Sequence, residues 1–330
     1  MSNNSIVNNS QLEDKRDDCS EVTKRIPGVI SAAEILATEW PDLDWVIQGL
    51  MPTGLSFLAG APKVGKSWLA LQIAKAVSSG ESILGHDVTK GKVLYLALED
   101  SGRRLKTRIV KQDWHKDSNV DFMTLPEYLE KIKDLKGDGT AKLGKFIETG
   151  KYMLVIIDTL SRALFVDQND VSDMTACLSP LQATALRLNC AILLIDHHRK
   201  LSSKESPDAI TDVLGSTAKG GVADTIMGVY KKRGSSKAQF SVTGRDIDET
   251  TIDILWEKST GCWSLPNDKT TPQLDELLAK LEEIGPISNQ ELAEALRRRP
   301  GTVLKQLNQL HEKGLVVHNE DKTWVISEAD

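Results

Sequence analysis

Residues Leu55 to Val77 restrict the choice of fold more than any other stretch of the chain. The apolar run Leu55-Ser56-Phe57-Leu58-Ala59 leads into Gly60-Ala61-Pro62-Lys63-Val64-Gly65-Lys66-Ser67, and Trp68-Leu69-Ala70-Leu71-Gln72-Ile73-Ala74-Lys75-Ala76-Val77 follows. The order is strand, glycine-rich loop, helix, and the loop satisfies G-x-x-x-x-G-K-[ST] at every fixed position. Gly60 and Gly65 permit positive φ and close backbone approach, so successive N–H groups can turn around a phosphate at the positive end of the following helix. Lys66 is expected to reach the β- and γ-phosphates, and the Ser67 hydroxyl to hold Mg²⁺. The expected nucleoside triphosphate contacts are Gly60, Ala61, Pro62, Lys63, Val64, Gly65, Lys66, Ser67 and Trp68.

Two further apolar runs end in acids: Val93-Leu94-Tyr95-Leu96-Ala97-Leu98 before Glu99-Asp100, and Tyr152-Met153-Leu154-Val155-Ile156-Ile157 before Asp158. A third, Ala191-Ile192-Leu193-Leu194-Ile195, runs into Asp196-His197-His198-Arg199-Lys200. Apolar residues at consecutive positions indicate strands buried on both faces, and intervening helical patterns such as Leu178, Leu181, Ala185 and Leu188 point to an α/β fold with a mostly parallel sheet, its crossovers right-handed, covered by helices on both faces. Open sheets of this kind bind ligands at the carboxyl ends of their strands, which is where the acids fall. Asp158 is placed to hold Mg²⁺ and Glu99 to act as the base that polarises the attacking water, with Asp100 as the alternative. Strands are also expected at Thr225 to Tyr230, Ala238 to Thr243 and Thr251 to Glu257.

These elements, taken in order, resemble the RecA-type ATPases, and most of all the RepA-like replicative helicases of plasmids, phages and integrated elements. The resemblance rests on the loop with Lys63, on Leu98-Glu99-Asp100, on Ile157-Asp158-Thr159, on His197-His198-Arg199-Lys200, and on Gly215-Ser216 to Ala223-Asp224, and it spans roughly residues 30 to 265. It implies ATP as nucleotide and Glu99 as the base. It also implies a γ-phosphate sensor at His197, with His198 as the alternative, and an arginine finger supplied by the next subunit. Arg245 occupies the place expected of that finger, with Arg233 and Lys232 as alternatives. A homo-oligomer, expected as a hexameric ring, would pass single-stranded DNA along the loop from Arg199 to Lys219, with Lys200, Lys204 and Lys219 facing the channel.

Around this core, residues 1–27 are polar and read as a disordered tail, residues 28–266 as the ATPase domain, 267–271 as a linker and 272–330 as a second domain. A short helix capped by Ser31 and ended before Pro41 reads as a lid or packing arm. In the last segment, helical patterns at Leu274 to Leu281, Asn289 to Leu296 and Thr302 to His311 precede two strands flanking Asn319-Glu320-Asp321, which suggests a winged helix-turn-helix. That segment holds 7 Lys and Arg against 11 Asp and Glu, a formal charge of −4. Its expected partner is a replication protein or a DNA site, with Arg297, Arg298, Arg299 and Lys305 as the basic edge.

No apolar run reaches the roughly 20 residues of a membrane span, and the amino terminus has no signal-peptide core, so a cytoplasmic protein is expected. Cys19, Cys177, Cys190 and Cys262 are scattered, which argues against a zinc site and against a disulfide framework. The expected activity is that of an ATP-driven helicase serving replication of a mobile element. The alternatives are a nucleotide-switched ATPase that recruits a partner through its winged helix, and a recombination ATPase.

Overall fold

The computed structural model describes residues 29–168, 170–197, 217–266, 272–312, 315–319 and 321–327. The tail, Cys19, His198, Lys200, Lys204, the Gly215-Ser216 step and the linker at 267–271 lie outside the described residues. The described residues divide into two units, one up to Asp42 and one from Leu43. In the first, α1 (Ala32–Ala37) starts at a capping box: the Ser31 hydroxyl accepts from the Glu34 amide while the Glu34 carboxylate accepts from the Ser31 amide.

The second unit begins with a two-stranded ribbon, β1 (Trp45–Ile47) and β2 (Met51–Pro52), and enters the loop strand β3 (Gly54–Gly60) and helix α2 (Lys66–Ser79). Then come β4 (Lys92–Ala97), α3 (Gly102–Lys111), β5 (Val120–Thr124), α4 (Leu125–Lys131), α5 (Gly139–Gly150), β6 (Tyr152–Asp158), α6 (Leu160–Ala163), α7 (Val171–Arg187) and β7 (Ala191–His197). After the undescribed stretch come α8 (Thr217–Val222), β8 (Thr225–Lys231), β9 (Lys237–Gly244), β10 (Thr250–Glu257) and β11 (Cys262–Ser264).

These strands form one nine-stranded sheet in the order β11-β10-β9-β8-β3-β7-β6-β4-β5. From β8 to β5 all pairings are parallel, whereas β8, β9, β10 and β11 pair antiparallel. The sheet is thus mostly parallel, as expected, with an antiparallel extension at the β8 side. The turn between β8 and β9 is too short for a crossover helix, and a short connection permits only antiparallel return.

All seven residues of β3 are buried, because the strand sits mid-sheet with helices on both faces. Alternate residues feed two cores. Leu58, Val93, Tyr95, Leu154, Ile156, Leu193 and Ile195 pack with Leu69, Ile73 and Val77 of α2. Leu55, Phe57, Leu94, Leu96, Val155, Ile157, Ile192 and Leu194 pack with Leu178 and Leu181 of α7 and with Leu143 and Ile147 of α5. Burial on both faces fixes the register, and the register brings the carboxyl ends of β3, β7, β6 and β4 side by side.

The last segment has a core of its own. Helices α9 (Pro272–Ile284), α10 (Asn289–Ala295) and α11 (Pro300–Glu312) surround Leu277, Leu281, Leu292, Val303, Leu307 and Leu310. The wing is β13 (Val316–His318) with β14 (Thr323–Ile326), and β12 (Ile287–Ser288) pairs on the other side of β14. Another Ser–Glu capping box, Ser288 with Glu291, starts α10.

Candidate nucleotide site

Gly65 caps α2 at φ 112°, in the left-handed region, and a Cβ there would lie 2.9 Å from the Trp263 ring. Gly60 plays a different part from the one expected. It ends β3 without positive φ, and its need is space, since a Cβ would come within 2.9 Å of Val64 and 3.0 Å of the Val229 carbonyl. The second left-handed residue in the loop is Lys63, at φ 65°. Ala61, Pro62 and Lys63 are exposed, while Val64 is buried against the core. The Trp68 ring lies edge-on to Trp256 and beneath Arg108 and Lys111, at 5.2 Å and 5.6 Å.

Lys66 points back into the loop. Its Nζ donates to the Gly60 carbonyl at 2.6 Å and the Ala61 carbonyl at 3.2 Å, and lies 3.2 Å from His197 Nδ1. His197 stands there because it is directly opposite Gly60 in the β3–β7 ladder. Burial pushes the Lys66 ammonium down to about 8, against the pull of the Asp158, Asp196 and Glu99 carboxylates. Burial and then the Lys66 charge also lower the His197 imidazole, which favours its neutral form.

Asp158 ends β6 with its side chain almost wholly enclosed. Its Oδ2 accepts from the Tyr95 hydroxyl at 2.8 Å, whereas Oδ1 is buried without a hydrogen-bond partner. Burial raises its carboxyl above the ordinary range, opposed by Tyr95 and by the nearby Ser67 hydroxyl. A bare carboxylate oxygen close to a serine hydroxyl is an all-oxygen donor pair, and it fits a hard divalent cation such as Mg²⁺.

The two acids after β4 part company. Asp100 is held by Arg104 at 3.0 Å and Arg108 at 2.5 Å, so both of its oxygens are engaged. Glu99 Oε1 accepts from the Thr159 hydroxyl at 2.9 Å, next to Asp158, and the carboxylate remains 40% exposed. Glu99 is thus the acid left open to solvent, as a base must be, and Arg162 approaches it at 3.9 Å.

Lys219 departs from expectation. Instead of facing a channel it is buried, with Nζ 2.5 Å from Asp196 Oδ2 and 3.3 Å from Gln168 Oε1. Its helix α8 packs Ala218 and Val222 into the core, which turns the lysine inward, and Asp196 offsets the buried charge. Arg245 follows β9 and pairs with Asp224 at 3.2 Å and the Gly221 carbonyl at 2.9 Å. Lys232 and Arg233 are exposed in the β8–β9 turn.

Sequence reasoning passed over Tyr95, Thr159, Arg108 and Trp263. Only Tyr95 left a signal, as a lone hydroxyl in an aliphatic strand that needs a partner once buried.

A phosphate-binding loop at the carboxyl edge of a largely parallel sheet, flanked by acid-tipped strands, defines a RecA-type P-loop ATPase fold. A family model described as AAA domain matches residues 21–203, more than half of the chain, and the chain belongs to that family. A MarR family model matches residues 270–322, the winged-helix segment. Among solved structures, a DnaB-like replicative helicase, described with its interactions with primase, is similar at 15% identity and TM-score 0.51, over 64% of this chain and 57% of that one. This chain therefore corresponds to little more than half of that helicase. The RadB recombinase is similar at 18% identity and TM-score 0.47, over 66% of this chain and 92% of that chain. A KaiC-like protein of Pyrococcus horikoshii OT3 is similar at 12% identity and TM-score 0.46, with the same two shares, 66% and 92%. Among the described residues no helix is long and apolar enough to cross a membrane.

Proposed function

We propose that the protein is an ATP- and Mg²⁺-dependent motor that acts on single-stranded DNA as a homo-oligomer, a replicative helicase of a mobile element. The observation that supports this best is the convergence, on one edge of the sheet, of Lys66, Ser67, His197, Asp158 and the solvent-open Glu99. In this reading the loop amides and Lys66 bind the phosphates, and Ser67 and Asp158 hold the cation. Bound Mg²⁺ neutralises charge on the phosphoryl oxygens. Glu99 orients water toward the γ-phosphate, with Thr159 fixing the carboxylate. His197 lies where loss of the γ-phosphate would alter its contact with Lys66, and it leads directly into the segment expected to touch DNA.

A second reading has support of its own. The MarR-type segment is acidic overall, which favours a nucleotide-switched ATPase that recruits a partner over a motor whose winged helix grips DNA. Hydrolysis with and without single-stranded DNA, followed by unwinding of a forked duplex, separates the two. The helicase reading expects stimulation and unwinding; neither would appear for a switch. Lys66→Ala is expected to abolish nucleotide binding. Glu99→Gln should keep binding and lose about 10²–10⁴-fold in turnover, the range for removal of a general base, and retained turnover would move the base elsewhere.

A further inference from the structure

Tyr95 is one of the largest fully buried side chains of the protein, at 1% exposure, flanked in its strand by Val93, Leu94, Leu96 and Ala97. In the β4–β6 ladder Tyr95 stands opposite Ile156, and Ala97 stands opposite Asp158. Side chains two apart share a face, so Asp158 is the diagonal neighbour of Tyr95 on the face that also carries α2. The phenol ring is held from behind by Phe122, 5.5 Å away and tilted by 35°, and Phe122 in turn meets Trp114 at 6.0 Å. The hydroxyl therefore has one direction available, and along it lies Asp158 Oδ2 at 2.8 Å.

The consequence is an asymmetric carboxylate. One oxygen accepts from a neutral donor on a rigid ring, and the other, Oδ1, is buried without a hydrogen bond of ordinary geometry, with the Ser67 hydroxyl beside the carboxylate. A buried oxygen without a partner costs about 1–3 kcal/mol, so a carboxylate free to rotate would turn Oδ1 toward another donor. A phenylalanine at position 95 would fill the same space and leave that rotation unopposed.

We propose that Tyr95 is a positioning residue for the cation site: its hydroxyl locks the Asp158 carboxylate so that Oδ1 is presented to a hard divalent cation bound with the nucleotide. The inference rests on the site proposed above. The Tyr95–Asp158 hydrogen bond acts on the metal only through Asp158, so its removal leaves the phosphate contacts of Lys66 and the loop amides untouched. Groups that hydrogen-bond a metal ligand and hold it in place carry about 10–100-fold of metal affinity.

The test uses the full chain with Tyr95→Phe, which preserves volume and ring packing, and Mn²⁺ as the probe. Nucleotide binding is measured in a chelator, and Mn²⁺ is then titrated into the protein–ADP complex and followed by electron paramagnetic resonance. The expected result is metal-free ADP affinity within about twofold of the wild type and Mn²⁺ affinity weakened by at least about tenfold. Asp158→Asn supplies the reference for complete loss of the ligand. Unchanged Mn²⁺ affinity in Tyr95→Phe overturns the proposal, and so does an equal loss of metal-free ADP binding, which would mean general collapse of the site. Failure of the underlying reading looks different: the wild-type chain itself would then bind neither ADP nor Mn²⁺ in its presence.

Discussion

Lys66 carries the most testable electrostatics in the molecule. Its ammonium is enclosed by the loop and faces a neutral imidazole, and burial brings its pKa to about 8. Phosphate binding requires the charged form. Below that pKa the lysine is already protonated and binding takes up no proton at this site; above it, each binding event must take one up. Nucleotide affinity is therefore expected to be level up to about pH 8 and to fall by up to about tenfold per pH unit beyond it, as proton linkage to one group requires. Calorimetric titration of ADP across that range checks it, and an affinity that holds level a full unit above pH 8 would show that Lys66 is not the group that meets the phosphates. The residues of the loop were legible in the sequence because their chemistry is local: eight consecutive positions make one cradle. Asp100 was not. The engagement of both its oxygens depends on Arg104 and Arg108 one and two turns into α3, and charge pairs of that kind cannot be told from solvated surface until the helix is placed.

The helix after the loop is held in position by a strand that the sequence reading did not assign. β11 is the sheet edge, and the backbone of Trp263 is left without a neighbouring strand on one side. Gln72 of α2 fills that gap in both directions: its Nε2 donates to the Trp263 carbonyl and its Oε1 accepts from the Trp263 amide, each at 2.8 Å. Trp263 then packs on Gly65 and on Trp256, with Lys231 5.4 Å above its ring, so the edge strand buttresses the phosphate loop. Gln72→Ala leaves two enclosed backbone groups unpaired, and a loss of about 1–3 kcal/mol in unfolding free energy is expected, read by chemical denaturation with an unchanged m-value. A loss below about 0.5 kcal/mol would show that solvent replaces the amide freely. The limit of sequence reading here is separation along the chain. β3, β4, β6 and β7 announced themselves as apolar runs because burial on both faces demands it. β5 and β11 are short edge strands with mixed composition, and nothing local tells Gln72 that its partner lies 191 residues away.

The winged-helix segment has its own core yet is docked on the ATPase core through polar groups. Arg298, with its side chain 4% exposed, pairs with Asp113 beyond α3 at 3.3 Å and with Glu276 of α9, and Gln309 of α11 donates to Glu257 of β10 at 2.5 Å. Between these contacts lies a cleft of about 730 Å³ lined by Lys111, Glu257, Arg299, Lys305 and Gln306. The same sheet that positions this docking decides what Arg245 can do. Gly244 stands opposite Thr225, and Thr225 opposite Ser56, while the phosphate loop leaves β3 at Gly60, opposite Val229. Four residues of strand, about 13 Å at the usual rise, separate the two levels, so Arg245 lies toward the end of the sheet away from its own loop. A finger at that place can serve only a site on another copy of the chain, which is what a head-to-tail ring provides. If it does so, Arg245→Ala and Glu99→Gln should each be inactive alone while keeping the thermal midpoint of the parent. Mixed in equal amounts, they should recover activity, because about a quarter of randomly formed interfaces join an intact Glu99 to an intact Arg245 across a heterologous contact. Hydrolysis by the mixture, measured against each variant alone at the same total concentration, reads the effect. Recovery toward a quarter of the parent rate assigns the finger to Arg245. Mixed rings that assemble and stay silent would remove it from that role and leave Lys232 and Arg233, in the turn on the phosphate-loop side of the sheet, as the charges to test.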